Sequence, residues 1–273
     1  MSLFDSQLIR FISFGSGSCG NCYYLGTPTD AILIDSGVGI RKLKRRFHDY
    51  GIKLSDIRAI FITHDHCDHV KSVAVLSSEL HIPVFALPEV HRGMACNRFL
   101  KRKVQGQNVR TVEFGTALQL ADFVIQAFPV PHDATANAGY SIRIGSIVFT
   151  VMTDVGIVTE DINSFIRQAT HLVIEANYDP QMLSTGPYPK ELQKRISNGY
   201  GHLSNYQTAA ALIANYHADL KRVWLCHLSA ENNHPELARH TIETHLQEAG
   251  ITVGTDLQLD VLRREDPTGP FEL

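Results

Sequence analysis

No apolar run in the chain approaches the ~18 to 20 residues that a bilayer-crossing helix needs, which excludes an integral helical membrane role. An excess of one charge sign is also missing. The chain has 25 Lys and Arg against 28 Asp and Glu, a formal −3, which rules out holding nucleic acid by bulk charge, although a local basic face stays open. Cysteine is scarce and odd in number, five in 273 residues, so a disulfide framework is not expected. No secretory apolar segment follows the polar start Met1 to Arg10, and a reduced, cytoplasmic protein is the expectation. Linkers, low-complexity tracts and clear repeats are absent, so residues 1–273 read as one domain, long enough to bury a core without staples.

Histidine is what the chain has in excess, 14 residues. To place them, the first half reads as short β-runs, Leu8 to Phe14, Cys22 to Leu25, Ala31 to Ile34, Ile57 to Ile62 and Pro83 to Leu87. Helical patterns at Ile40 to Tyr50, Val70 to Leu80 and Pro88 to Leu100 lie between and after them, the last opening on a helix-compatible proline. A meander follows from Val109 to Met152, with Gly145-Ser146 as a tight hairpin turn. Beyond Thr159, helices (Asp161 to Ala169, Asn205 to His217, Pro235 to Ala249) alternate with strands (Leu172 to Ala176, Arg222 to Cys226) before a β-like tail. The runs Ile60 to Ile62 and Val173-Ile174 suggest strands covered on both faces. The fold class predicted is α/β (α+β), two mixed sheets stacked together with helices outside.

The strand ending at Ile62 runs into Thr63-His64-Asp65-His66-Cys67-Asp68-His69, four potential metal ligands in six residues. His132, Asp154 and His227 each follow a further predicted strand. The count suits two ions: His64, His66 and His132 on one, Asp68, His69 and His227 on the other, and Asp154 bridging. Imidazole and carboxylate favour zinc, tolerate manganese or iron, and without cysteine ligands argue for an open rather than a structural site. Two such ions about 3.5 to 4 Å apart deprotonate a shared water and polarise a phosphoryl or acyl oxygen. With both aspartates and a hydroxide counted, the centre keeps one positive charge and would welcome an anion.

At this point the sequence resembles the metallo-β-lactamase superfamily, whose HxHxDH hallmark is met by His64, His66, Asp68 and His69. The resemblance covers nearly the whole chain and implies a four-layer αββα sandwich with two metals at the strand ends. It also implies that His132 is the third histidine, Asp154 the bridge and His227 the last ligand. Within the superfamily the chain is similar to the YycJ/WalJ group at Gly15 to Asn21, Thr185 to Pro189, Gly201 to Asn205 and His227 to Asn233. That group implies a DNA exonuclease linked to repair. Cys67 departs from the pattern, standing where a small polar residue is more usual.

The tripeptide His-Leu-Ser occurs twice, at His202 and His227. His227 follows an apolar strand and suits a ligand, so His202, in a Gly- and Ser-rich loop before a helix, is the expected general acid. A histidine of near-neutral pKa can protonate a departing alkoxide, worth about 10² to 10⁴ in rate. Glu175 is its expected partner, like the Glu and His pair of RNase Z, and Asp68 is counted with them as catalytic. Ser204 or Asn205 would cap the following helix beside a bound phosphate, and Asn21 is assigned to substrate through its Gly-rich loop, which a plain hairpin explains as well. His91 to Arg110 holds six basic residues and Arg41 to Arg46 five, either solvated helix faces or the walls of a phosphate groove. Gln181 to Gly201 lies between Glu175 and His202 and is expected to be a clamping loop over the site.

The function expected is thus a binuclear phosphodiesterase, first a DNA exonuclease in which metal-bound hydroxide attacks phosphorus and His202 protonates the leaving oxygen. An RNA-processing or small cyclic phosphodiesterase, or an acyl (thioester or lactam) hydrolase, uses the same ligands. Nucleic acid, DNA ahead of RNA, is the expected partner, with no membrane, and an oligomer is left open.

Overall fold

The computed structural model describes residues 8–273. The first part of the chain runs β1 (Arg10–Gly15), β2 (Cys22–Gly26), β3 (Ala31–Ile34), α1 (Ile40–Asp49), β4 (Ile57–Phe61), α2 (Cys67–Val70), α3 (Val73–Leu80), β5 (Val84–Ala86), α4 (Pro88–Cys96) and β6 (Val109–Thr111). There follow β7 (Ala117–Leu120), β8 (Phe123–Pro129), β9 (Ala138–Ile144), β10 (Ile147–Met152), α5 (Glu160–Gln168), β11 (His171–Glu175), α6 (Pro180–Thr185) and α7 (Lys190–Ser197). The chain ends with α8 (Asn205–Asn215), β12 (Arg222–Cys226), α9 (Pro235–Glu248), β13 (Gln258–Val261) and β14 (Thr268–Glu272).

These strands form two seven-stranded sheets, in the order β14-β1-β2-β3-β4-β5-β6 and β13-β12-β11-β10-β9-β8-β7. Each sheet begins as an antiparallel meander and continues in parallel strands, from β3 to β6 in one and from β10 to β13 in the other. β14 returns to pair antiparallel with β1, so the last strand closes the first sheet. The C-terminal ends of parallel strands gather at one edge, where open α/β sheets place their ligands.

Side chains alternate across the parallel strands as burial on both faces demands. In β12, Trp224 and Cys226 point into the layer between the sheets, while Val223 and Leu225 face the helices. Phe11 of one sheet lies 4.8 Å from Phe149 and 4.7 Å from Trp224 of the other, ring centre to ring centre. Ile162 and Ile166 of α5, Leu212 of α8 and Ile242 and Leu246 of α9 cover the second sheet. Leu43 and Phe47 of α1 cover the first, Phe47 meeting Phe14 edge-on at 5.1 Å. Each such side chain contributes about 1.5–3 kcal/mol of apolar burial. The αββα sandwich expected from the sequence is the fold observed.

Three local expectations change. The single helix over Val70 to Leu80 divides into α2 and α3, because Ser72 turns to bond its N–H to Ser36 O and its hydroxyl to Val38 O. The helix from Pro88 stops at Cys96, where Asn97 becomes extended and its side chain accepts the Phe99 N–H. The expected loop 181–201 is mostly helix: Asp179 accepts the Gln181 and Met182 N–H groups to start α6, and Pro189 precedes α7.

Candidate metal centre

The predicted ligands converge at the edge where the strands end. His64 and His66 follow β4, with Asp68 and His69 in α2. His132 follows β8, Asp154 follows β10, Glu175 closes β11 and His227 follows β12. Donor atoms of His64, His66 and His132 lie within 4.8 Å of one another, as do those of Asp68, His69 and His227, and those of His64, His69 and Asp154. Asp154 stands between the first two groups, one oxygen 3.2 Å from His69 Nε2 and the other 3.7 Å from His132 Nε2. Asp68 Oδ2 is 3.6 Å from Nε2 of both His69 and His227.

Whether these residues fit metal ions is tested by their unused atoms. The Nε2 atoms of His64, His132 and His227 are buried with no hydrogen-bond partner, a condition folded proteins avoid unless something else occupies the lone pair. The opposite nitrogen of each ring is engaged: His64 Nδ1 with Thr63 Oγ1 at 3.0 Å, His132 Nδ1 with Gly201 O at 3.0 Å and His227 Nδ1 with Glu175 Oε1 at 3.0 Å. His69 Nδ1 donates to Asp35 Oδ2 at 2.7 Å. This pattern sets the tautomer of a ligating histidine and turns Nε2 toward the ion. The electrostatics agree. Burial opposes a charge on His227, yet Asp154, Asp68 and Glu175 push its pKa up to about 10. Burial likewise opposes charge on His69, and Asp35, Asp154 and Asp68 raise it well above the ordinary histidine value. The hollow is short of positive charge, and the donor set fits divalent cations.

His202 lies at the rim. Its Nδ1 is 2.8 Å from Glu175 Oε1, and its side chain keeps 20% exposure in a cavity of about 270 Å³ that His66, Asp68, Asp154 and His227 also line. Burial opposes its charge, but Glu175 and then Asp154 raise its pKa. Glu175 serves His202 and His227 together, and its Oε2 accepts the N–H groups of Val155 (2.8 Å) and Leu203 (3.1 Å). Tyr188, Leu192 and Arg195 of the 181–201 segment wall the same cavity, so the segment overhangs the site as expected, but on short helices.

Of the three residues assigned to substrate, Ser204 caps the following helix as expected, and Asn21 and Asn205 are buried. Asn21 is fully buried, donating to Gly17 O and lying 2.8 Å from His69 Nε2. The Ser204 hydroxyl caps α8 in a capping box with Gln207, and the buried Asn205 amide donates to Asn233. Residues not anticipated are Asp35 behind His69, Asn137, whose amide holds Asp154 O at 2.9 Å, and Asn177, whose amide holds His227 O at 2.8 Å.

A model of the beta-lactamase superfamily domain matches residues 30–228, the span that holds all seven predicted ligands. The chain belongs to the beta-lactamase superfamily. As the HxHxDH residues implied, it is a metal-dependent hydrolase of that family. Exodeoxyribonuclease WalJ of Streptococcus pneumoniae serotype 2 is 33% identical to it over 250 residues, covering 92% of this chain and 93% of that protein. Exodeoxyribonuclease YycJ of Bacillus anthracis is 29% identical over 260 residues, covering 95% and 97%. Among solved structures, unliganded yeast PDE1 superposes with a TM-score of 0.71 over 95% of this chain and 99% of its own, at 12% identity, and so shares the superfamily fold. No helix among the described residues is long and apolar enough to cross a membrane.

Proposed function

We propose that the chain is a phosphodiesterase that degrades DNA from an end, using two divalent ions, zinc first among those the donor set suits. Two relatives of nearly equal length carry that activity in their names. The observation that carries the chemistry is the His202–Glu175 pair at 2.8 Å, set beside the ligand cluster. Held by His64, His66 and His132, by Asp68, His69 and His227, and by Asp154 between them, the ions would activate a water and polarise a phosphoryl oxygen.

The protein's own part is to move a proton. Because Nδ1 of His202 is bonded to Glu175, Nε2 is the nitrogen left to face the cavity. The carboxylate favours the imidazolium, so Nε2–H is ready to donate to the departing oxygen. Glu175 cannot swing away, since two backbone N–H groups hold its second oxygen. An acyl hydrolase would have little use for a second histidine that binds no ion.

Purified protein loaded with zinc or manganese is expected to cut linear DNA and bis-p-nitrophenyl phosphate, and failure on both overturns the proposal. His202→Ala should lower turnover about 10²-fold or more with metal content unchanged. Loss of metal in that variant would make His202 a ligand instead.

A further inference from the structure

Asp68 and Ser18 line two recesses. Beyond the catalytic cavity, a groove of about 890 Å³ leads away from Asp68 between α1, α3 and the segment after α4. Arg41, Lys71, Lys101 and Arg102 stand along it, all exposed, and none has a carboxylate partner among the described residues. Their neighbours differ: Lys42, Lys44 and Arg46 pair with Glu265, Glu79 and Asp266, and Arg92 pairs with Glu89. From the two basic runs in the sequence, Arg41, Lys101 and Arg102 face this groove together with Lys71, and Asp68 is its single carboxylate among the described residues.

Phe99 lines the same groove at 85% exposure, while the adjacent Leu100 is buried. A ring left in water forgoes its apolar burial, so packing does not explain it. Nor does it sit on a loose tip. Asn97 accepts the Phe99 N–H at 3.0 Å and donates to Asp65 O at 3.3 Å, between His64 and His66, and Lys103 Nζ reaches back to Met94 O at 3.1 Å. The backbone that carries the ring is thereby tied to the metal-site motif.

We infer that this groove is the track for a single-stranded polynucleotide leading to the metal centre, with phosphates on Arg41, Lys71, Lys101 and Arg102 and a base stacked on Phe99. The inference deepens the proposed nuclease function and rests on it. Charge complementarity selects a polyanion: four free cations line one groove on a chain of net −3. The exposed ring selects a single strand, because a base inside a duplex has both faces covered, whereas an unpaired base can lie flat on an aromatic.

The test is binding of a fluorescein-labelled, phosphorothioate-linked oligothymidylate of roughly twelve nucleotides to the metal-loaded full chain, followed by anisotropy across a salt series. Phe99→Ala should weaken binding about tenfold and Phe99→Trp should restore it. Lys101→Ala with Arg102→Ala should flatten the slope of log affinity against log salt by about 1.4, the single-strand value for two phosphates. These side chains are exposed, and melting curves of the variants check that the fold is kept. Wild-type binding by Phe99→Ala, or equal affinity for a blunt duplex, overturns the groove. If wild-type protein cuts DNA and bis-p-nitrophenyl phosphate while Phe99→Ala binds unimpaired, the groove falls and the nuclease function stands. Groove-dependent binding with neither substrate cut upholds the groove and overturns the nuclease function.

Discussion

Asp35, Asp154 and His227 have φ of 59°, 56° and 54°, a left-handed conformation that costs a non-glycine residue about 1–2 kcal/mol. Each comes at the end of a strand whose side chains are otherwise committed to the core, and each turns its own side chain into the ion hollow. Asp35 is the least conspicuous, since it binds no proposed ion and acts through His69. Its Oδ2 takes the His69 Nδ1–H at 2.7 Å, and its Oδ1 takes the Thr63 N–H at 2.9 Å. Asp35→Asn offers an amide hydrogen where an acceptor is needed and removes the charge that favours the required tautomer. Zinc affinity, measured by chelator competition, should fall about 10- to 100-fold. Affinity equal to wild type would show that Asp35 does not set His69. The convergence of the seven candidate ligands was legible because histidine and aspartate after apolar strands are rare enough to notice. Asp35 follows Ala31–Ile34 in the same way but lacked a second cue. Ser204 caps α8 as its place before the helix suggested, whereas the hydrogen bonds that hold Asn21 and Asn205 inside the protein depend on side-chain direction, which residue type does not give.

A four-residue helix such as α2 cannot hold itself in place, since its nucleation is not repaid by length. Neighbouring turns hold it instead. Asn21 N–H donates to Asp68 O at 2.7 Å, Ser36 N–H to His69 O at 2.7 Å and Gly37 N–H to Asn21 O at 2.8 Å. Gly37 makes this contact possible: a Cβ there would lie 1.5 Å from Asp68 O, a separation only a shift of α2 can relieve. Gly37→Ala is therefore expected to displace Asp68 and His69 together and drop bound zinc from two toward one per chain, read by elemental analysis. Circular dichroism should show the sandwich retained. Two ions bound at wild-type affinity would refute this role for the turn. At this scale the strands were legible from apolar runs such as Ile147–Met152, whose bounds the structure repeats. The breaks were not, because the apolar spacing runs unbroken across Lys71 and Ser72. α6 and α7 were hidden because Gly, Pro and Tyr between them read as loop, although Asp179-Pro180 is a helix-start signal.

For the molecule as a whole, the ion hollow is a joint between sheets. His64, His66, Asp68 and His69 come from the first, and His132, Asp154, Glu175 and His227 from the second. Counting the ligands and a hydroxide alone leaves the proposed centre with one positive charge, but Asp35 and Glu175, both fully buried, add two negative ones and the His202 imidazolium one positive, which brings it to zero. On the proposed reading the pull on a polyanion then falls to the basic groove, and the ions would also serve the fold. Without them, four carboxylates crowd one hollow, each costly to bury uncompensated. An ion free at a hundred times its dissociation constant stabilises the fold by about 2.7 kcal/mol per site. In a chain of this size each kcal/mol moves the midpoint by about 2–4 °C, so dialysis against EDTA should lower Tm by about 10 to 20 °C. Calorimetry should show the loss reversed by zinc, and Asp154→Asn, which removes the residue between the two ion groups, should melt low with or without it. A Tm indifferent to chelation would mean that the sheets are held by core contacts such as Phe11 against Trp224 alone, with the ions serving only the chemistry.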